Sequence, residues 1–127
     1  MDKILAEISA GELIDKITIL EIKKAKIKNK DKLIEIEKEL MSLNATMKKF
    51  IPDNPKISSF KDTLKNINLK LWDIEDGKRN AEKNSDFGNK FIELARNVYK
   101  FNDERARIKS EINLILNSNI KEVKSHF

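Results

Sequence analysis

Cysteine is missing altogether, histidine occurs once, and the chain carries only three glycines and two prolines. Without cysteine there is no thiolate nucleophile, no dithiol redox pair and no cysteine-ligated zinc. The lone histidine, His126, is the penultimate residue, where chain ends fray. A Ser-His-Asp triad and a histidine metal site therefore lack the imidazole they need. No apolar run approaches about 18 residues, and Met1-Asp2-Lys3-Ile4-Leu5-Ala6-Glu7 lacks the apolar core of a signal peptide. The expectation is a soluble, cytoplasmic protein with no membrane association. Scarce glycine and proline leave long stretches in which a helix can run unbroken.

Basic residues are in modest excess, 26 against 21 acidic ones, for a net charge of +5. Only Arg79, Arg96, Arg105 and Arg107 are arginine; lysine, asparagine and isoleucine, whose codons are A- and T-rich, are abundant. Such a composition follows from an AT-rich genome without selection for a polyanionic partner. Lysines are interleaved with carboxylates and form no single patch, which argues against a nucleic-acid partner. Weak nucleic-acid binding stays as a last alternative, recognisable by an affinity that falls steeply with salt.

At 127 residues the chain has the length of one domain, 1–127, able to build a core without metal or disulfide. Ile4, Ala6 and Ile8 form a weakly alternating, extended lead-in. Ser9-Ala10-Gly11-Glu12 is a capping box that starts a first helix with the seam Leu13, Ile17, Leu20, Lys24 and Ile27. Ile19 and Ile22 fall on the far side, so this helix is apolar nearly all round and must be covered on two faces, within the fold or at a subunit interface. Continued by heptads, that seam would bring Asp31, Lys38 and Lys48 into the core. The apolar set Leu33, Ile36, Leu40, Leu43, Met47 and Phe50 is instead displaced by about 100°, which places a turn at Asn29-Lys30-Asp31 with Asp31 as cap.

Ile51-Pro52-Asp53-Asn54-Pro55 ends the second helix. A third begins near Ser58 or Ser59, with the seam Phe60, Leu64, Ile67, Leu71, Ile74, Lys78 and Ala81. Asn84-Ser85-Asp86-Phe87-Gly88 turns the chain, capped by Ser85 or Asp86, into a fourth helix that Asn117-Ser118-Asn119 ends. This gives a hairpin over 10–50, a proline-containing loop over 51–57, a hairpin over 58–117 and a short tail over 118–127. The fold class is all-α: an antiparallel four-helix bundle made of two long helical hairpins, closing within one chain or across a dimer.

The fourth helix carries an anomaly. Its seam runs Phe91, Leu94, Val98, Phe101, Arg105, Ile108, Ile112 and Ile115, and one member is an arginine. Asn102 and Lys109 lie within about 60° of Arg105 on the helix surface. Counted by height from the turns, Glu12, Asp15 or Glu21 are its carboxylate partners, with Lys16 nearby. A buried charge left alone costs several kcal/mol, so this cluster of Lys16, Asn102, Arg105 and Lys109 is an internally paired device that fixes register or an anion-binding site, unless Arg105 lies off the stripe and snorkels outward. The same counting gathers Lys24, Glu75, Lys78 and Glu82 into a second polar cluster. Trp72 and Tyr99, with Ile19 and Ile22, form a candidate partner surface. Glu75, Asp76, Glu82 and Glu93 are better read as a solvated acidic face than as a magnesium site. No catalytic constellation, metal site or cofactor motif is present.

Over Gly11-Glu12-Leu13-Ile14-Asp15-Lys16-Ile17, Leu71-Trp72-Asp73-Ile74-Glu75-Asp76, Phe91-Ile92-Glu93-Leu94-Ala95-Arg96 and Asn102-Asp103-Glu104-Arg105-Ala106, the chain resembles a family of short bacterial and phage proteins known as a domain of unknown function. That resemblance spans nearly the whole chain and implies no activity. Leu13-Ile14-Asp15-Lys16-Ile17 is also similar to the opening helix of the all-helical chorismate mutases, with Lys16 and Lys24 standing where that family has arginines. The resulting expectation is a non-enzymatic interaction or structural module that self-associates, a dimer being favoured, with a further protein partner allowed. The alternative is a small-anion-binding protein, or a mutase-like enzyme, with a basic pocket in the bundle core.

Overall fold

The computed structural model describes residues 1–125. His126 lies outside the described residues. Four helices form, α1 (Ala10–Lys26), α2 (Lys30–Phe50), α3 (Pro55–Lys83) and α4 (Asn89–Ile115), and no strand occurs among the described residues. The first eight residues are non-helical and exposed.

Each helix starts where side-chain chemistry can satisfy its free amides. The Ser9 hydroxyl accepts from the Glu12 amide at 3.1 Å. The Glu12 carboxylate does not complete the capping box, because it is taken by Lys109 and Lys16. Asn29, not Asp31, caps α2 by accepting from the Lys32 amide. α3 starts at Pro55, ahead of the expected serines, with Asn54 as cap. A proline in the first helical position gives up an amide that has no partner there anyway. Gly88 caps α4 without a side chain, while Asp86 accepts from the Gly88 amide. Ser85 and Asn117 adopt left-handed φ of 52° and 48° just past α3 and α4. The amides of Asp86 and Ser118 reach back to the carbonyls of Ala81 and Asn113, so both ends close as Schellman motifs.

The two hairpins pack as a four-helix bundle centred on α1, which lies against all three other helices; the backbone of α2 comes close to that of α1 only. Leu13, Ile17 and Leu20 face Ile36 and Leu40 of α2. Ile14, one residue and about 100° on from Leu13, packs with Ile57 and Leu64 of α3 and Ile112 of α4. Met47 and Ile51 join both sets. That double coverage is why α1 is apolar nearly all round. It corrects the reading of Ile22 as an outer face: Ile22 is 2% exposed, buried by its own chain. Ile19 and Trp72 are half-buried, and Tyr99 is exposed.

The hairpins do not lie side by side. Asp15 meets Asn68 of α3, yet Glu21, about 9 Å further along α1, pairs with Lys61 and Lys65, nearer the start of α3. A helix running parallel to α3 would instead bring Glu21 level with Ile74. α1 therefore crosses the α3–α4 hairpin obliquely near its open end, and the turn end projects past it. There Gly77 lets α3 approach Leu94 closely: a Cβ at Gly77 would sit 3.1 Å from the Leu94 Cδ1.

Candidate functional site

The crossing point of α1 over α4 concentrates the buried polar chemistry. Asp15 has zero exposure. Arg105 donates from Nε to Asp15 Oδ1 at 2.9 Å and from Nη2 to Oδ2 at 2.5 Å, a bidentate fork. Asn68 donates to Asp15 Oδ1 and to the Thr18 hydroxyl, both at 2.9 Å, and Thr18 donates to the Asp15 carbonyl. Arg105 Nη1 makes a longer contact, 3.4 Å, to Asn102 Oδ1. The hydrogen bonds to Asp15 hold the Arg105 pKa above its ordinary value against the opposing pull of burial. Both members of the pair stay fixed, and their charges cancel.

One turn further along α4, Lys109 donates to Glu12 Oε2 at 2.5 Å and to Glu122 Oε2 at 3.3 Å. Burial pushes the Lys109 pKa down, but the Glu12 hydrogen bond and the charges of Glu12, Asp15 and Glu122 more than reverse this, leaving it raised. The first amides of α1 are taken up nearby: Ala10 donates to the Ser118 hydroxyl at 3.0 Å, and Gly11 to Asn113 Oδ1 at 2.7 Å. With Ser9 accepting from Glu12, the positive end of α1 is satisfied from within the chain.

Residues beyond α4 form a strap along this helix. Ser9 donates to Glu122 Oε1 at 2.7 Å, Asn119 to Glu7, and Lys124 lies 3.6 Å from Asp103. Between the strap and α4 lies a cleft of about 690 Å³ with Arg105, Lys109 and Asn113 among its lining residues and Tyr99 and Val98 toward one end. Burial pushes the Glu122 pKa up, but the Ser9 hydroxyl and the Lys109 charge outweigh it and leave it lowered. A carboxylate with a depressed folded-state pKa adds stability above its unfolded value, and that stability disappears as pH falls through the folded value. The strap should therefore loosen first on acidification, as pH falls below the ordinary glutamate range. Hydrogen exchange at the Ala10 and Glu12 amides, normalised for intrinsic rates, should lose protection there before the helix interiors do. Loss of protection in all helices together would contradict this.

Of the sequence-derived cluster, Asn102, Arg105 and Lys109 converge here, whereas Lys16 stays about half exposed beside Glu12 and does not line the cleft. The second cluster is not assembled. Lys24 pairs with Glu37 of α2 and Glu75 with Arg79 on its own helix, while Glu82 is exposed and Lys78 half-buried. The oblique crossing is the cause, because it carries the end of α1 toward Lys61 and away from Lys78. It also leaves the mutase-like reading without its basic pair, since Lys16 and Lys24 face outward on separate glutamates. No group of three or more Asp, Glu or His side chains among the described residues could hold a metal ion. Nor is any helix long and apolar enough to cross a membrane.

Sequence reading passed over Asn68, Asn113, Ser118 and Glu122. Asn113 had a signal: it continues the Asn102, Arg105, Lys109 stripe by one more turn. Asn68, beside seam residue Ile67, and Glu122, in the tail, had none.

The chain belongs to a family of unknown function (DUF6165), which it matches over residues 4–127. No curated protein and no solved structure matches it.

Proposed function

We propose that the chain is a non-enzymatic helical module that works by association with protein, its own copies first. The observation that carries this is the state of Asp15. Its carboxylate has no solvent exposure and is engaged at both oxygens by Arg105 and Asn68, so the most buried charged group has no valence left for a substrate. General acid or base work needs a group that can exchange a proton with a bound reactant. Locked pairs of this kind are better attested as devices that specify one packing arrangement.

Self-association draws support from α2, whose backbone comes close to that of α1 only and whose end alone, through Met47, joins the core shared with α3 and α4. Ile34 and Met41, 63% and 73% exposed, are two turns apart on the same side of that helix. Light scattering at micromolar concentration should give about twice the chain mass of 14.8 kDa. Ile34→Glu with Met41→Glu should return the species to one chain mass without loss of helicity. A wild-type protein that scatters as a monomer would remove self-association from the proposal.

A further inference from the structure

The α4–strap cleft has features that internal pairing leaves unused. Asn113 is 3% exposed, and its orientation is fixed, because the Gly11 N–H can be met only by the amide oxygen. Its NH2 group must point the other way. That group donates to none of the described residues, yet no side-chain nitrogen or oxygen is both buried and unpartnered. The NH2 therefore opens onto the space it lines, which is the cleft. Asn102 repeats the arrangement three turns earlier: its oxygen faces Arg105, and its NH2 has no partner among the described residues. Between them Arg105 keeps N–H groups beyond the three it has committed, on a side chain that is 28% exposed.

Asn102, Arg105, Lys109 and Asn113 follow one another along one side of α4 over about 16 Å, and what they have left to offer is donors. Unfilled donors along one wall of a half-open cleft call for an acceptor-rich guest. At about 690 Å³ the space exceeds what a bare ion fills and lies in the range of small-molecule sites. Val98, Tyr99 and Ala106 supply an apolar wall for the body of such a guest. Glu122, 45% exposed on the strap, already offers a carboxylate to Lys109 at 3.3 Å.

From this geometry we infer that the cleft binds a small molecule with an oxyanion head, phosphate or carboxylate, on an aromatic or apolar body. The head takes the free donors of Asn102 and Arg105, and the body lies against Tyr99, one turn before Asn102; Asn113, about 12 Å beyond Arg105 along α4, is out of reach of that head and serves a longer guest. Glu122 is the internal competitor of that head. The site adds a ligand to the module and does not depend on its self-association.

Calorimetric titration of the full chain with phenyl phosphate, benzoate and inorganic phosphate tests this. Phenyl phosphate or benzoate should bind saturably, and whichever binds more tightly identifies the head. Inorganic phosphate should bind about tenfold more weakly than phenyl phosphate for want of a body. Asn102→Asp keeps the oxygen that faces Arg105 but replaces the donor with a charged acceptor. This variant should weaken binding tenfold or more while circular dichroism remains that of the wild type. Glu122→Gln removes the competing charge and should tighten binding about fivefold. Absence of saturable binding by both aromatic probes would overturn the inference. So would binding that a well-folded Asn102→Asp variant leaves unchanged.

Discussion

Arg105→Leu should destabilise the protein by about 3–5 kcal/mol, lowering Tm by on the order of 15 °C, because it strands a carboxylate at zero exposure. Asp15→Asn should cost less, about 2 kcal/mol. It keeps an acceptor for Arg105 Nε and for Asn68, and the guanidinium it releases is 28% exposed and can reach water. The order of the two variants is the informative result, since a surface ion pair would lose at most about 1 kcal/mol from either side. Replacing both partners with apolar residues, Asp15→Leu with Arg105→Met, should recover most of the Arg105→Leu loss, because neither charge is then left alone. Recovery falls short of complete because Asn68 keeps only the Thr18 hydroxyl as acceptor. Urea unfolding followed by circular dichroism measures all three. Near-equal small losses in the single variants would remove the pair from its structural role.

How far this was legible from residues alone follows from which interactions obey a local period. Helices repeat every 3.6 residues, so the seams, the phase slip near Asn29 and the arginine inside the fourth seam could all be read. Arg105 was visible because a charge interrupts an otherwise apolar stripe. Asn68 was not, because asparagine abounds in this composition and a buried one looks like an exposed one until its neighbours are known; Asn113 was legible only as one more turn of the Asn102, Arg105 and Lys109 stripe. Counting heights from the turns assumes hairpins that run side by side. That assumption served near Arg105, where α1 meets α4, and failed at Lys24, where α1 has crossed toward the start of α3. Crossing angle depends on how ridges of side chains on one helix fit the grooves of the next, and no period within a single helix encodes it. The strap is the other gap: the segment 118–125 has no periodicity at all, and Ser118, Glu122 and Lys124 hold it through contacts distant in sequence.

Gly11→Ala should cost about 2–3 kcal/mol, against the usual gain of about 1 kcal/mol when a helical glycine becomes alanine. A Cβ there would lie 2.5 Å from the Lys109 carbonyl oxygen and 3.0 Å from Asn113 Oδ1. The first of these is backbone inside α4 and cannot rotate away, so α1 and α4 must separate. Separation stretches the contacts that depend on this approach: Gly11 to Asn113, Ala10 to Ser118, and Lys109 to Glu12. Gly77→Ala is the matched control. Its Cβ would meet only the end of the Leu94 side chain, at 3.1 Å, which a small rotation relieves, so this variant should be neutral or slightly stabilising. Both substitutions make the same chemical change inside a helix, and only the atom opposite differs. If Gly11→Ala and Gly77→Ala shift the urea midpoint equally, the close α1–α4 approach is not what Gly11 provides. If only the first is destabilised and the strap amides lose protection with it, a single absent methyl group at Gly11 holds together the crossing, the helix start and the floor of the cleft.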